Sequence, residues 1–528
     1  MTGPAGFAVL ASAVAALSPA TGPAVWVAVV ASVVALGPAG ARWLRVAQRE
    51  HYLADASSRF AVRWWRSTPV NAVLAAVALA GLVASDRWPL AALAPAGVMA
   101  VGPLGLSVRG RTSPLVATRR LRTLAAVWLV LQAVVVVIGV VVGAAAPFAA
   151  AGAVVVPALV DLACLLTGPY ERWLVGRRYV RPAAERLRRV GPTVVGITGS
   201  YGKTSTKSYV AHLVAGSRTV VASPASFNNR AGLARAVNEH LVEGTEVFVA
   251  EMGTYGRGEI RELCRWCPPA IAVMTAVGPV HLERFGTEDA IAAAKAEIAE
   301  RAPVVVVNAD DRRLAELAGR WGSSPVGPEV VRCSAVDPSA DVCVLAKDGT
   351  VLVAGARVVE VPLRPGVQAT NLACALAVAI RLGVPAEVAA GRVATLPQVP
   401  NRLAADRAPS GLYVVDDTFN SNPAGARAAL EVLASAPVGG RRVLVTPGMV
   451  ELGPRQASEN EAFAAAARQV VDDLVVVGRT NRRALVRGAA PLHPVVVRTR
   501  HEAVAWVRAN LGPGDAVLYE NDLPDHYP

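Results

Sequence analysis

The chain has 528 residues, room for three or four domains, and it combines a mean hydropathy of +0.40 with only 18% charged residues. That composition excludes an ordinary soluble enzyme and predicts that part of the chain is buried in a lipid bilayer. The formal net charge of +13 is almost all arginine, since the only lysines are Lys203, Lys207, Lys295 and Lys347. Because arginine supplies almost all of the positive charge, each lysine is a candidate for chemistry that arginine cannot perform.

Long apolar runs, uncharged except at Asp161, make up much of residues 1–170. Most of them approach the ~20 residues that a helix needs to cross the hydrocarbon core. The pattern therefore predicts an N-terminal α-helical transmembrane bundle of five or six helices. The runs cover residues 3–41, 70–85, 88–108, 124–146 and 147–168.

Arginines crowd alternate connections between these runs. They cluster within residues 42–66, 109–122 and 172–181, whereas the connections near residue 86 and at 144–147 carry little charge. By the positive-inside rule, the basic segments and everything after Gly168 are cytoplasmic, which predicts a multi-pass protein of the plasma membrane. We expect these arginines to contact solvent and anionic membrane lipid, and we expect no nucleic-acid partner.

Two features at the end of this region bear on its function. Asp161 is an acid inside a predicted span, where a charge is costly, so it lies either near a packed helix interface or on a transport pathway. Residues 171–190 form a basic juxtamembrane linker.

The stretch 194–207 carries the clearest motif. An apolar strand pattern breaks into a glycine-rich turn, and a helical pattern begins near Lys203. Gly199 and Gly202 permit backbone angles closed to other residues, so successive N–H groups can converge on an anion. Lys203 would reach the β/γ-phosphates of a nucleotide, and the Thr204 hydroxyl would bind Mg²⁺. The alternative is a simple turn between strand and helix. The predicted nucleotide-binding residues here are Thr198, Gly199, Ser200, Tyr201, Gly202, Lys203, Thr204 and Ser205.

Residues 191–400 predict a P-loop ATP-binding domain with a mostly parallel sheet. Strand-like runs at 219–222, 247–250, 271–275 and 304–307 alternate with helical patterns. Glu251 and His281 each follow one of these runs, where ligands bind in open α/β folds.

The loop T-G-S-Y-G-K-T, residues 198–204, follows G-I and resembles the loop of the Mur ligases, which join amino acids or peptides to a carboxylate with ATP. The resemblance covers residues 191–528 and implies that Glu251 and His281 bind magnesium beside Thr204. It also implies that Lys295, in A-K-A-E-I, is carbamylated and helps to hold a second magnesium ion. Lys203, Lys295 and His281 are thus the expected catalytic residues.

Further motifs extend the same resemblance. Asn371 matches a nucleotide-contacting asparagine, although Gln368 stands where the family has a histidine. Residues 416–423, D-D-T-F-N-S-N-P, look like the D-x-Y-N-A-N-P motif of the branch that adds D-alanyl-D-alanine to UDP-N-acetylmuramoyl-tripeptide. By these matches Arg402 and Asp417 contact the nucleotide. The residues expected near substrate are Asn228, Asn229, Asn420 and Asn422.

Residues 401–528 predict a C-terminal Rossmann-like α/β domain, with strands near 443–446, 474–477, 495–497 and 516–519. Its end departs from the family, because V-L-V-K-G-S appears here as V-L-Y-E-N-D, residues 517–522. Membrane helices also stand where the family has a soluble UDP-binding domain.

The resemblance implies an amide ligase that phosphorylates a carboxylate of a UDP-linked or lipid-linked cell-wall precursor. The amine of an amino acid or dipeptide would then displace the phosphate. Two alternatives remain open: a ligase for another polymer such as poly-γ-glutamate, and a non-catalytic ATP-binding regulator of a membrane partner.

Overall fold

The computed structural model describes residues 22–110, 114–399, 401–419, 421–523 and 526–528. The chain forms two compact units. The first holds the residues up to Leu174 together with Leu523–Pro528, and the second holds Val175–Asp522. The first border lies close to the predicted end of the transmembrane region, whereas the last six residues, predicted as part of the C-terminal domain, belong to the first unit.

The first unit is helical. Among the described residues, Pro23–Arg49 and Arg119–Val141 are long and apolar enough to cross a membrane, and there are up to four spans if two sharply bent helix pairs each count as one. The predicted run 88–108 forms only a 3₁₀ turn and a nine-residue helix. Because residues 1–21 lie outside the described part, the number of five or six spans stays a prediction. The remaining helices are Ala56–Trp65, Pro69–Ala84, Leu93–Val101, Ala145–Val154 and Val156–Val175, with the 3₁₀ turn Pro89–Ala92.

Charged side chains inside this unit cap helix ends. The carboxylate of Asp161 accepts hydrogen bonds from the backbone N–H groups of Ser57 (3.0 Å) and Ser58 (2.8 Å), in the first turn of Ala56–Trp65. Arg42 donates to the carbonyl oxygens at the end of Leu93–Val101, including Ala100 at 2.7 Å. Asp161 therefore lies at a packed helix interface, which was one of its two expected positions. Arg42 is buried, although it was expected in a solvated loop.

Residues 526–528 pack within the same unit. The His526 imidazole lies 2.9 Å from the Glu50 carboxylate, and its backbone carbonyl accepts a hydrogen bond of 2.8 Å from Trp64 Nε1. The Phe60 ring contacts the rings of both His526 and Tyr527, with 4.9 Å between centroids in each case. These contacts explain why the end of the described chain belongs to the helical unit.

The second unit begins in a helix. The basic segment predicted as a linker continues as the π turn Gly176–Val180 and the helix Arg181–Val190. Ala183 and Leu187 are buried in the core beneath, and Arg186 Nε donates to the Leu241 carbonyl at 2.6 Å. The segment is thus packed structure and not an open connection.

A nine-stranded sheet carries the nucleotide-binding half of this unit. Its order is β2-β3-β1-β4-β5-β6-β7-β8-β9, parallel up to β7 and antiparallel beyond. The central strands are almost continuously apolar because helices cover both faces. The strands are β1 Thr193–Thr198, β2 Val220–Ala222, β3 Val247–Glu251, β4 Ile271–Met274, β5 Val304–Asn308, β6 Glu329–Ser334, β7 Val342–Val344, β8 Thr350–Val353 and β9 Ala356–Glu360. The helices are Lys203–Val214, Arg230–His240, Glu259–Trp266, Leu282–Phe285, Glu288–Ala296, Arg312–Gly322, Ala369–Arg381 and Ala386–Gly391, with 3₁₀ turns Glu297–Glu300 and Arg392–Thr395.

A six-stranded sheet forms the C-terminal half, in the order β10-β11-β15-β12-β13-β14, with only β10 antiparallel to its neighbour. Apolar clusters lie on both faces of this sheet as well. The strands are β10 Ala404–Arg407, β11 Tyr413–Asp417, β12 Arg442–Thr446, β13 Asp473–Val477, β14 Val495–Val497 and β15 Ala516–Glu520. The helices are Pro423–Ala434, Gln456–Ala467, Arg482–Ala489 and Arg500–Asn510, with a 3₁₀ turn at Gly453–Arg455. Mixed, mostly parallel sheets match the α/β prediction for both halves.

Candidate active site

The predicted phosphate loop joins the end of β1 to the helix Lys203–Val214. Gly202 has a φ of +81°, and an added Cβ there would lie 2.5 Å from Asn371 Oδ1, so only glycine fits. The amine of Lys203 donates to the carbonyl of Gly199 at 2.8 Å and folds back over its own loop. Loss of water around this amine lowers its pKa to about 8; the charge of Glu251 opposes the shift. The Lys203 ammonium group thus lies at the N-terminus of a helix, and both the ammonium group and the helix dipole favour a bound anion.

Other residues of the phosphate loop contact the segment around Gly278. Ser200 Oγ donates to the Gly278 carbonyl at 3.1 Å and accepts from the Gly278 N–H at 3.0 Å. The Tyr201 ring packs against the same glycine, where an added Cβ would lie 2.6 Å from Tyr201 Cε1. Burial raises the pKa of the Tyr201 phenol to about 12, so the ring is neutral. Thr198 ends β1 with a buried side chain, and Ser205 lies in the first turn of the helix.

A buried carboxylate stands beside the loop. Glu251 ends β3, opposite Ile197 of β1, and is 1% exposed. Its oxygens accept hydrogen bonds from Thr204 Oγ1 (3.0 Å), Lys207 Nζ (3.1 Å) and Asn228 Nδ2 (3.0 Å). Burial favours the neutral acid, but the ammonium groups of Lys207 and Lys203 and the amide of Asn228 outweigh it and lower the pKa of Glu251. Glu251 is therefore ionised at neutral pH.

The donor set at this position fits magnesium. Mg²⁺ prefers oxygen ligands and usually takes only one or two carboxylates, with water and substrate phosphates completing its shell. Thr204 and Glu251 supply a hydroxyl and a carboxylate side by side, at the loop that would hold the phosphates. The described residues contain no group of three or more His, Cys, Asp or Glu side chains arranged around a metal.

Lys295 lies in the helix Glu288–Ala296 and is only 3% exposed. Burial lowers the pKa of its amine well below the usual lysine value, and the neighbouring charge of Lys203 lowers it further. None of the described residues donates to, accepts from or pairs with this amine. The deprotonated amine is the form that can react with carbon dioxide, and a lowered pKa makes that form easier to reach; the modification itself stays a prediction.

His281 precedes the short helix Leu282–Phe285 and has a φ of +62°, unusual for a residue with a Cβ. Its Nδ1 is hydrogen-bonded to a carboxylate oxygen of Glu451, which lies after β12 in the C-terminal half. Burial lowers the pKa of His281, and the positive charge of Lys295 lowers it further. In the same way, the charge of Lys203 adds to the lowering of the Lys295 pKa. Electrostatic interactions thus join His281, Lys295, Lys203 and Glu251 into one cluster.

The C-terminal half closes over the phosphate loop. The Arg402 guanidinium lies 4.4 Å from the Phe419 ring centroid, and its charge acts on both Glu251 and Asp417. Burial raises the pKa of Asp417 to about 6, although a backbone N–H and Arg402 favour the carboxylate. One pocket joins the two halves, lined by Ser200, Tyr201, Gly202, Lys203, Thr204, Val280, Arg402, Ser421 and Asn422.

The residues expected near substrate have different surroundings. Asn228 supports Glu251 directly. Asn229 and Asn422 each cap a helix, accepting from the N–H of Gly232 and Gly425 at 2.9 Å, and only Asn422 also lines the pocket. Asn420 lies outside the described residues.

Sequence reasoning missed three side chains of this region. Lys207 forms a salt bridge with Glu251, and the only sequence feature that could have indicated its role is that it is one of four lysines in the chain. Glu451 holds His281. Glu520 ends β15 beside Asp417 and is fully buried, hydrogen-bonded by the hydroxyls of Ser421 and Thr446. In the departing segment V-L-Y-E-N-D, Glu520 is therefore part of the sheet, and Asp522 is paired with Arg500 at 2.6 Å.

A glycine-rich loop at a helix N-terminus, with a lysine, a hydroxyl and a strand-end carboxylate around it, defines a nucleotide-dependent enzyme of the P-loop class. Comparison with known families matches residues 197–379 to the Mur ligase middle domain and residues 401–519 to the Mur ligase glutamate ligase domain. The chain belongs to the Mur ligase family of ATP-dependent ligases, which form carbon–nitrogen bonds.

Individual relatives agree with this assignment. The UDP-N-acetylmuramoyl-tripeptide–D-alanyl-D-alanine ligase of Mycobacterium tuberculosis is 36% identical over 372 residues, 63% of this chain and 71% of that protein. The crystal structure of MurF ligase from Thermotoga maritima in complex with ADP is 25% identical, with a TM-score of 0.56 over 65% of this chain and 79% of that one. MurF from Acinetobacter baumannii shares the fold at 23% identity, with a TM-score of 0.57 over 65% of this chain and 76% of its own.

Proposed function

We propose that this protein is a membrane-anchored ligase that uses ATP to activate a carboxylate of a cell-wall precursor and joins it to the amine of an amino acid or dipeptide. The observation that carries the proposal is the convergence of Lys203, Thr204, Glu251, Lys295 and His281 around one phosphate loop. A non-catalytic nucleotide-binding protein would not need a buried lysine with a lowered pKa beside that loop.

The side chains divide the chemistry between them. Lys203 and the loop N–H groups would offset charge on the phosphoryl group as it moves from ATP to the substrate carboxylate. Thr204 and Glu251 would hold magnesium, and His281 with a carbamate on Lys295 would hold a second ion. When bound, these ions neutralise phosphate charge. Arg402 and Asn371, both packed at the loop, would orient the nucleotide.

The names of the relatives support a choice of substrates. Several are named for joining D-alanyl-D-alanine to UDP-N-acetylmuramoyl-tripeptide. We propose the same dipeptide amine here, with the tripeptide carboxylate carried either on UDP or on a membrane lipid. The lipid-linked form is considered because this chain adds a helical unit with a strongly apolar surface.

That surface supports the membrane anchor. On the helix Pro69–Ala84, bulky apolar side chains point away from the protein, and only Asn71, Ala78 and Gly81 are buried. Water would penalise such a face, whereas lipid would not. The exposed apolar residues on this helix are Val70, Val73, Val77, Leu79 and Val83. The arginine asymmetry of the connections supports our proposal that the catalytic unit lies on the cytoplasmic side of the membrane.

The activity test uses the full-length protein in lipid nanodiscs. ATP, magnesium and D-alanyl-D-alanine are combined with UDP-N-acetylmuramoyl-tripeptide or with the same peptide on a polyprenyl diphosphate. Phosphate release and the mass of the product are measured, and Lys203→Ala corrects for contaminating ATPases. An amide product with either acceptor supports the proposal and identifies the carrier. Absence of amide with both acceptors would refute it.

The location test places a reporter that is active only in the cytoplasm after Arg66 or after Arg122. Both fusions are expected to be active. An inactive fusion after Arg122, in a protein that is inserted and intact, would contradict the proposed orientation.

A further inference from the structure

His281 and Glu451 meet across the two halves of the catalytic unit. Both are non-glycine residues with positive φ, +62° and +63°, a conformation that residues with a Cβ adopt only when their surroundings impose it. Their side chains form the hydrogen bond between His281 Nδ1 and Glu451 Oε2. Two unfavourable backbone conformations are thus maintained at the two ends of a single contact, which points to a functional purpose.

Neighbouring groups hold this contact on several sides. The backbone carbonyl of Glu451 accepts from the N–H of Glu283 at 3.3 Å, and its other carboxylate oxygen lies 3.6 Å from Arg284 Nη2. The Tyr255 ring packs edge-on against the imidazole, with 4.9 Å between centroids. The imidazole therefore has little freedom to rotate.

The bond also determines which ring nitrogen carries the proton. A carboxylate accepts hydrogen bonds, so Nδ1 is the protonated nitrogen of the neutral ring and Nε2 keeps its lone pair. A histidine that binds a metal through one nitrogen commonly donates its other N–H to a carboxylate, which fixes the tautomer and the ring orientation.

We propose that Glu451 is a positioning residue for the metal site: it holds His281 in the tautomer and orientation that offer Nε2 to a divalent cation. Because Glu451 belongs to the C-terminal half and His281 to the nucleotide-binding half, the metal site is complete only when the two halves are together. This inference rests on the proposed role of His281 as a metal ligand.

The test measures metal affinity and not turnover. Full-length protein in detergent is saturated with a non-hydrolysable ATP analogue and titrated with Mn²⁺, whose free concentration is followed by electron paramagnetic resonance. Glu451→Leu is expected to weaken Mn²⁺ binding about tenfold to hundredfold, the usual loss for such a partner. Glu451→Gln is expected to lose less, because the amide oxygen still accepts from Nδ1.

A second contact between the halves supplies the matched control. Arg455 pairs with Glu288 across the same interface without touching His281, so Arg455→Ala is expected to leave the Mn²⁺ affinity near that of the native protein. An equal loss in Arg455→Ala would overturn the proposal, because the effect would then be a general loosening of the interface. Equal losses in Glu451→Gln and Glu451→Leu would also overturn it, because Glu451 would then act through its charge.

His281→Ala separates the failure of this inference from failure of the underlying metal assignment. Weaker Mn²⁺ binding in His281→Ala, with native affinity in Glu451→Leu, overturns only the positioning role. Native affinity in both variants overturns the metal role of His281 as well. Tighter binding in Glu451→Leu would make Glu451 a competitor of the metal, which also contradicts the proposal.

Discussion

Asp161 in the helical unit and Glu251 in the catalytic unit are both carboxylates removed from water, yet different partners hold them. Asp161 accepts hydrogen bonds from two backbone N–H groups at the start of a helix, where the helix dipole favours negative charge. Glu251 is held by the side chains of Thr204, Lys207 and Asn228. The first arrangement is satisfied by the fold itself, whereas the second is built from groups that could also bind a ligand.

The cations show the same difference. Arg42 of the helical unit donates to the carbonyl oxygens at a helix end. In the catalytic unit the charge of Lys203 acts on the buried amine of Lys295, and two neighbouring cations are unfavourable until anions arrive. Asp161 and Arg42 are thus held by helix ends, whereas Glu251 and Lys295 lie among the charged side chains around the nucleotide loop. Substitutions in the two units should separate these roles.

The largest effect is expected at Lys203. Lys203→Ala should lower the rate of ligation at least roughly 10³-fold, because the phosphoryl group in transfer loses its nearest cation, while membrane insertion is unchanged. Phosphate release with saturating substrates measures the loss. Lys347→Ala is the matched control, since that side chain is 85% exposed, and it should behave as native protein. Substantial turnover in Lys203→Ala would remove the loop from the mechanism.

The second-largest effect is expected at Lys295. Lys295→Ala and Lys295→Arg should both bind ATP but turn over roughly 10²-fold more slowly, because neither side chain can carry a carbamate. Added acetate or formate, diffusing into the space left in the alanine variant, should restore part of the activity and should not help the arginine variant. Ligation rates with and without the acid measure this. Full activity in Lys295→Arg would exclude the carbamate.

Glu520 should couple stability to pH. Burial raises its pKa to about 8, so its contribution to stability is fully present below the unfolded-state pKa and is lost as pH rises through about 8. The native protein should lose up to about 1.4 kcal/mol per pH unit in that window relative to Glu520→Gln, which cannot ionise. Melting temperatures of both proteins in detergent at pH 6 to 9 measure the difference. Parallel pH curves would show that Glu520 ionises normally.

The smallest effect is expected in the helical unit. Asp161→Asn keeps only one of two acceptor oxygens at the helix start, so it should lower the free energy of unfolding by about 1 kcal/mol and leave ATP affinity unchanged. Asp55→Asn is the matched control, because Asp55 precedes the same helix but makes no capping bond. A changed ATP affinity in Asp161→Asn would break the distinction between the two units.

Much of the catalytic unit could be predicted because its signals are local. The strands β3, β4 and β5 appear as short valine-rich runs, and the loop 198–204 has its own motif. The contact of Glu451 could not be found in this way, because its partner His281 is 170 positions away and the sequence around neither residue indicates the pairing. Asn229 shows a different limit: an asparagine three residues before Gly232 fits a helix cap as well as a substrate contact.

The helical unit was harder to predict. Hydropathy scales rank arginine as strongly polar, so the arginine-rich residues 42–66 are predicted to form a solvent-exposed connection between spans. The helix in fact continues to Arg49, and a second one covers Ala56–Trp65. Carbonyl groups at the end of Leu93–Val101 satisfy Arg42, and that partner arises only from tertiary packing.

The packing of His526 and Tyr527 among Phe60, Trp64 and Glu50 has a consequence for biosynthesis. During translation the helices around Phe60 leave the ribosome first, but residues 523–528 follow only after the entire catalytic unit has been made. Until then, the Trp64 indole N–H and the Glu50 carboxylate of the nascent helical unit lack these contacts. The contacts of His526 and Tyr527 therefore form late, only after the catalytic unit has been synthesised.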